Sequence, residues 1–192
     1  MARPKEFDPE SVVDAAMDVF WVGGYAATST SDLCAGTGLA RSSLYNTYRS
    51  KRELYEQALR RYGERTRTEQ AELLAQEGPV REVIRGFLLR AVDTQLADPQ
   101  RRGCLALNAA VEVGDADPAV AGLTLADFDT IVATMKALIE RGRATGELTS
   151  GGDPEAQARL VHAALTGIHV VGRVAGDRAR LTDIVDALVD GL

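Results

Sequence analysis

The sequence contains few of the residues that most often build metal sites, disulfide frameworks or catalytic centres. Its 192 residues include two cysteines, Cys34 and Cys104, and two histidines, His162 and His169. The cysteines lie outside any CxxC pattern and away from both histidines, and no carboxylate completes a histidine pair at helical spacing. We therefore expect reduced thiols, no metal and no cofactor.

Long apolar runs are also missing. No stretch approaches the roughly 18 uninterrupted apolar residues of a membrane span, and the N-terminal "MARPKEFD" has no apolar run behind its cations. These absences predict a cytoplasmic protein with no membrane partner.

Enzyme signatures are absent as well. A ferritin-like helical enzyme needs two ExxH motifs, and neither histidine has a glutamate three positions before it. No serine or cysteine stands in a recognisable arrangement with a histidine and an acid. The sequence therefore predicts a protein that is not an enzyme.

The acidic net charge of −6 conceals one basic segment. Residues 33–67 contain eight arginines and lysines against three glutamates, whereas residues 68–192 contain twelve cations and nineteen acids. Such an average excludes a general nucleic-acid coat but leaves room for a local contact with an anionic partner.

Hydrophobic periodicity is helical almost everywhere, and no alternating run predicts a sheet. The fold class we expect is therefore all-α. Asp8 is the expected N-cap of a first helix, a second fits Thr30 to Thr37, and a third runs from about Ala40 to Arg49. Ser50 then caps a long polar helix. Three short helices before a longer one are typical of a DNA-binding unit, although a generic helical bundle has the same pattern.

The third of these helices carries its polar side chains on one side. At 100° per residue, Leu44 and Tyr48 share an inner face with Ala40 and Thr47. The outward side chains are Ser42, Tyr45 and Asn46, with Arg41 and Ser43 at the flanks. Arginine can grip guanine with two hydrogen bonds, and the hydroxyl and amide groups can reach bases or phosphates. This face therefore predicts contact with the groove of double-stranded DNA.

Phosphate contacts are expected on both sides of that helix. Thr28, Ser29 and Thr30 begin the preceding helix, where hydroxyls and unpaired backbone N–H groups can hold phosphate. Lys51 lies in the first turn of the next helix, where the helix dipole does not favour a cation. Its position is better explained by a phosphate ligand than by helix stability.

Residues 24–55, "GYAATSTSDLCAGTGLARSSLYNTYRSKRELY", resemble the helix-turn-helix of TetR-type transcriptional regulators. The resemblance implies a three-helix DNA-binding domain, residues 1–50, and a larger helical domain for effector binding and dimerisation, residues 51–192. It also implies that Thr28, Tyr45 and Lys51 contact the DNA backbone and that Arg41 and Ser42 read sequence. Ala40 departs from the family's usual Ser or Thr cap, a loss of about 0.5 to 2 kcal/mol of helix stability.

The resemblance also supplies an assembly. Regulators of this kind dimerise through their last two long helices, here roughly Pro154 to Ala175 and Arg178 to Val189. We therefore expect a homodimer that reads a palindromic operator, responds to an unknown small-molecule effector and acts as a repressor.

Four residues are candidates for contact with an effector. Cys104 follows Arg101, Arg102 and Gly103 at the start of a helix, which favours a thiolate that senses electrophiles or oxidants. A small buried thiol is the alternative. Asn108 and Glu112 can meet a polar ligand group or form an ordinary surface pair, and His162 can line a pocket or serve structure.

A second function class remains open at this point. The chain can also be a dimeric helical sensor of ligands or thiol-reactive electrophiles that has no sequence-specific DNA binding.

Overall fold

The computed structural model describes residues 8–192, and within them it contains helices and no strand. The all-α prediction is therefore confirmed. The helices are α1 (Pro9–Gly23), α2 (Thr30–Thr37), α3 (Arg41–Thr47), α4 (Lys51–Leu74), α5 (Val80–Ala97), α6 (Leu105–Val113), α7 (Pro118–Ala144), α8 (Pro154–Ala175) and α9 (Arg178–Asp190). No helix in residues 8–192 combines the length and the apolar character that a membrane crossing needs.

The chain forms two compact units, the first of which contains residues 8–64 and 105–124 of the described chain. Its core is built from α1, α2, α3, the first part of α4, and α6. Phe20 is buried against the edge of the Tyr55 ring, with 4.8 Å between the ring centroids. Leu33 and Leu44 complete the same core from α2 and α3. Aromatic and aliphatic burial of this kind holds three short helices that would not be stable alone.

The second unit contains residues 65–104 and 125–192. The rest of α4, all of α5, most of α7, and α8 and α9 surround one large apolar core. Its fully buried members include Ile84, Leu88, Met135, Leu138 and Ile168. The predicted boundary after residue 50 is a division by function. It does not coincide with these two units, and it stays a prediction.

Local signals place most of the helix ends of the first unit. The Asp8 carboxylate accepts hydrogen bonds from the N–H groups of Glu10 and Ser11, as expected of an N-cap. The Ser50 hydroxyl accepts a hydrogen bond from the N–H of Glu53 and so caps α4.

The third helix is shorter than predicted. Ala40 precedes α3 and provides no side-chain cap, and Tyr48 is already extended. The Tyr48 ring is buried, and its hydroxyl donates a hydrogen bond of 3.1 Å to the carbonyl oxygen of Pro9. This tie to the start of α1 favours the extended backbone that ends α3.

Candidate nucleic-acid interface

Residues next to α2 in the sequence set its start and its end. The Ser29 hydroxyl accepts a hydrogen bond from the N–H of Asp32, and the Asp32 carboxylate accepts one from the N–H of Ser29. This capping box starts α2, and it lowers the pKa of Asp32. Gly38 ends the helix with φ of 69°, a left-handed conformation that other residues rarely adopt.

The polar face of α3 lies where the sequence predicts it. Leu44 is buried, whereas Arg41, Ser42 and Asn46 are exposed. Ser43 and Tyr45 are half-buried at the edges of that face. The first turn of α3 contains no acidic side chain, so no carboxylate within it opposes contact with a phosphate or a base edge.

One hydrogen bond joins the two helices of the motif. The hydroxyls of Thr30 and Tyr45 are 2.7 Å apart, on α2 and α3 respectively. Either atom can be the donor, and a hydroxyl keeps a further lone pair for a second partner. The bond fixes the orientation of α3 relative to the start of α2.

Thr28 and Ser29 have partners that the sequence did not reveal. The Thr28 side chain is 3% exposed, and its hydroxyl donates a hydrogen bond of 2.6 Å to the carbonyl oxygen of Gly24. The Ser29 hydroxyl is engaged in the capping box. In this conformation both hydroxyls stabilise the chain before and at the start of α2, and their phosphate contacts stay a prediction.

Lys51 also has a structural role. Its ammonium group donates hydrogen bonds to the carbonyl oxygens of Tyr25 and Thr28, at 2.8 and 3.0 Å, and lies 4.5 Å from the centre of the Tyr25 ring. These contacts explain a cation in the first turn of α4 without a ligand. They supply a structural reason for a position that we attributed to a phosphate ligand, and a phosphate contact by Lys51 stays a prediction.

Glu112, a predicted effector contact, holds the same turn from the other side. Its two carboxylate oxygens accept hydrogen bonds from the N–H groups of Tyr25 and Ala26, at 2.8 and 2.7 Å. A Cβ on Gly24 would lie 2.9 Å from the Glu112 carboxylate, so only glycine leaves room for this approach. We call this arrangement the Glu112 clamp. It couples α6 to the segment that leads into the helix-turn-helix.

A second link runs from α4 to the start of α7. The Arg52 guanidinium donates two hydrogen bonds to the Asp117 carboxylate, at 2.6 and 2.9 Å. This pairing lowers the pKa of Asp117 to about 2. Nothing in the local sequence pattern pointed to this pair, because its members lie 65 positions apart.

The remaining effector candidates are divided between the two units. Asn108 lies half-buried on α6 of the first unit, whereas Cys104 and His162 belong to the second unit. Cys104 is buried and not in a disulfide. Arg102 pairs with the Asp98 carboxylate at 2.9 Å. The role of Cys104 as a thiol sensor stays a prediction.

The two histidines of α8 are both half-buried. The ring of His162 packs against Phe128, with 4.9 Å between centroids, and burial lowers the pKa of His162. Burial lowers the pKa of His169 to about 4, and the ring lies 3.4 Å from the Gln95 side-chain oxygen. Both rings are neutral at physiological pH. Among the described residues, no group of three histidine, cysteine or acidic side chains could hold a metal ion.

Comparison with known proteins assigns this architecture to a family. Residues 12–58 match the family model described as bacterial regulatory proteins, tetR family. Residues 80–188 match the model of the tetracyclin repressor-like C-terminal domain. The chain is 34% identical to the helix-turn-helix transcriptional regulator YezE of Bacillus subtilis, over 97% of the chain and 96% of YezE. It is 25% identical to the transcriptional repressor ComR of Escherichia coli, over 95% of the chain and 87% of ComR.

Solved structures agree with this assignment. A cysteine mutant of the TetR-family regulator CifR, bound to a 26-base-pair operator duplex, is 29% identical to the chain. The two superimpose with a TM-score of 0.85 over 98% of each. The reduced form of NemR from E. coli, at 20% identity and a TM-score of 0.81 over 94% of the chain and 92% of NemR, shares the fold. The chain therefore belongs to the TetR family of helix-turn-helix transcriptional regulators.

Proposed function

We propose that the chain is a homodimeric repressor that binds a palindromic operator and releases it in response to a small-molecule effector. The exposed polar face of α3 carries this proposal. Arg41, Ser42 and Asn46 point away from a core that buries Leu44, and the Thr30–Tyr45 bond orients the helix that presents them. A rigid helix with one arginine, one hydroxyl and one amide outward is suited to base edges in the major groove.

An apolar stripe on α8 supports the dimer. The side chains of Leu160, Val170 and Val174 are exposed by 58%, 55% and 82%. With the exposed Ala156 and Ala163, they recur at intervals of three to seven residues on one face of α8. A stripe at this spacing is typical of helices that pack against a second helical surface, and a second copy of α8 would cover it.

Two observations support repression and an effector response. ComR, the E. coli relative, is a transcriptional repressor. The Glu112 clamp and the Arg52–Asp117 pair join α6 and the start of α7 to the DNA-binding part of the first unit. A ligand that favours another position of α6 would therefore alter the turn before α2. If that altered state binds DNA less well, binding of the ligand lowers the affinity for the operator.

Operator binding is the decisive test. Duplexes selected from random DNA would be compared with a scrambled duplex by fluorescence anisotropy over a salt series. We expect a large affinity gap between the two duplexes and a steep salt slope. Arg41→Ala should close much of that gap, by about 1 to 3 kcal/mol. Arg90→Ala removes the same charge from an exposed position on α5 and should leave the gap intact.

Equal and weak binding to every duplex would contradict the proposal. It would favour the alternative class, a helical sensor of ligands or thiol-reactive electrophiles without sequence-specific DNA binding. The thiol form of that sensor has its own test, because alkylation should then change the wild-type protein and spare Cys104→Ser.

The dimer can be tested with a pair of matched variants. Leu160 on α8 and Leu125 on α7 are each 58% exposed. Leu160→Glu places a charge in the proposed interface and should give a 20.6 kDa monomer in sedimentation velocity. Leu125→Glu should sediment as the wild-type dimer. A monomeric wild-type protein, or two variants with equal behaviour, would remove α8 as the interface.

A further inference from the structure

Two buried polar side chains of the second unit have oxygens without hydrogen-bond partners. Asp127, on α7, is 5% exposed, and neither of its carboxylate oxygens has a partner among the described residues. Gln70, on α4, is 4% exposed, and its side-chain oxygen also has none there. Buried polar atoms are nearly always hydrogen-bonded, because leaving one unpaired costs free energy. Three such oxygens therefore call for an explanation.

Thr66 relates the two side chains in space. It is buried on α4, and its hydroxyl is close enough to Asp127 to lower the pKa of that carboxyl against the opposing effect of burial. It does not form a hydrogen bond of ordinary geometry with either carboxylate oxygen. Gln70 is four residues after Thr66 and so shares its helix face. Asp127 thus approaches the face of α4 that carries Gln70.

The charges around Asp127 do not neutralise it. Glu69 raises the pKa of Asp127, whereas Arg67 lowers it but donates no hydrogen bond to its oxygens. Burial is the largest influence and raises the pKa further. The unpaired atoms here are oxygens. With Asp127 ionised, such a site favours a ligand that has both positive charge and hydrogen-bond donors.

We propose that Asp127 and Gln70 bind the ammonium group of a primary organic amine, and that amines of this class are the effectors of the regulator proposed above. A primary ammonium carries three N–H donors, which matches the three oxygens that lack partners. Leu73 and Ile131 lie one turn farther along the same two helices and are both buried. They would contact the hydrocarbon part of the amine.

The test uses benzylamine and its neutral analogue, benzyl alcohol, as probes in isothermal titration calorimetry with the full chain. We expect the amine to bind about tenfold or more tightly than the alcohol, the size of a charge-assisted hydrogen bond. Asp127→Asn should remove this preference, and Gln70→Leu should reduce it. Asp129→Asn is the matched control, since it removes an exposed carboxylate two residues later on α7 and should keep the preference.

Three results would overturn the inference. Equal binding of the amine and the alcohol would show that charge is not recognised, and an undiminished preference in Asp127→Asn would place the ammonium elsewhere. If the wild type binds neither probe, the buried carboxyl receives no amine.

Fluorescence anisotropy with the selected duplex distinguishes failure of the amine site from failure of the proposed function. If the selected duplex binds but benzylamine neither binds nor releases it, the regulator stands and the amine site fails. If benzylamine binds with the expected preference but no duplex is distinguished, the site stands without the regulator. Release of the operator by benzylamine from the wild type, but not from Asp127→Asn, would support both.

Discussion

The Glu112 clamp makes a prediction about how the DNA-binding unit is held together. Replacing Glu112 with alanine removes the acceptor of two backbone N–H groups, those of Tyr25 and Ala26. Both groups lie in the turn between α1 and α2, so the turn should loosen. We expect Glu112→Ala to destabilise the first unit and to weaken operator binding with it.

The size of the effect follows from the geometry. A hydrogen bond to a charged group contributes about 1.5 to 3 kcal/mol, and the two here, at 2.8 and 2.7 Å, share one exposed carboxylate. The released N–H groups can bind water, which favours the lower end and makes the two bonds less than additive. A glutamate near the C-terminus of α6 also opposes the helix dipole, by about 0.3 to 1 kcal/mol, and alanine removes that penalty. We therefore expect a net loss of about 1 to 2 kcal/mol.

Urea denaturation followed by tryptophan fluorescence reports this loss of stability in the first unit. Trp21 is the single tryptophan of the chain, and it packs in the first unit against Tyr62, with 5.2 Å between ring centroids. Asp115→Ala is the control, since it removes an exposed carboxylate just beyond α6. If Glu112→Ala and Asp115→Ala unfold at the same urea concentration as the wild type, the clamp does not stabilise the turn and our reasoning is refuted.

Four further outcomes are expected. Leu44→Ala should lower the free energy of unfolding by about 2 to 5 kcal/mol in thermal or urea melts, because the side chain is fully buried. Ala40→Ser should raise the free energy by about 0.5 to 2 kcal/mol in the same melts, because α3 has no side-chain cap. Tyr45→Phe should cost about 0.5 to 1.5 kcal/mol through loss of the bond to Thr30, and a double-mutant cycle with Thr30→Val isolates that bond. Asp127→Asn should stabilise the protein at neutral pH, because burial raises the pKa of the Asp127 carboxyl in the folded protein. The wild type therefore loses stability as the pH rises from the ordinary pKa of Asp through the pKa of the folded carboxyl. In melts at a pH below both pKa values, the variant should show no gain.

Several elements were predictable because their determinants are local. Asp8 and Pro9 start α1, Gly38 ends α2, and the capping pattern of Ser29 and Asp32 lies within four residues. Helical periodicity alone placed Leu44 inward and Arg41 outward on α3. The helix-turn-helix and its polar face therefore followed from residue order.

The partners of the site residues could not be predicted in this way. Thr28 and Lys51 were expected to face phosphate, but the Lys51 ammonium reaches the Thr28 carbonyl, 23 positions away. Glu112 was a candidate for an effector contact or an ordinary surface pair, and the structure shows that it accepts a hydrogen bond from the N–H of Tyr25, 87 positions away. Polar side chains bind whichever complementary group the fold brings within about 3 Å, and composition does not name that group.

The hydrogen-bond partners of buried polar groups also depend on the tertiary structure. Helical spacing places Asp127 on the face of Ile131 and Gln70 on the face of Leu73. It does not show whether a polar side chain on such a face finds a hydrogen-bond partner. The packing of α7 against α4 buries Asp127 and Gln70, and three of their oxygens have no hydrogen-bond partner among the described residues. The sequence by itself determined the all-α class, the family and the polar face of α3, because those depend on short-range spacing. Only the tertiary structure decided which polar atoms have partners among the described residues, because desolvation and pairing depend on helices that are distant in sequence.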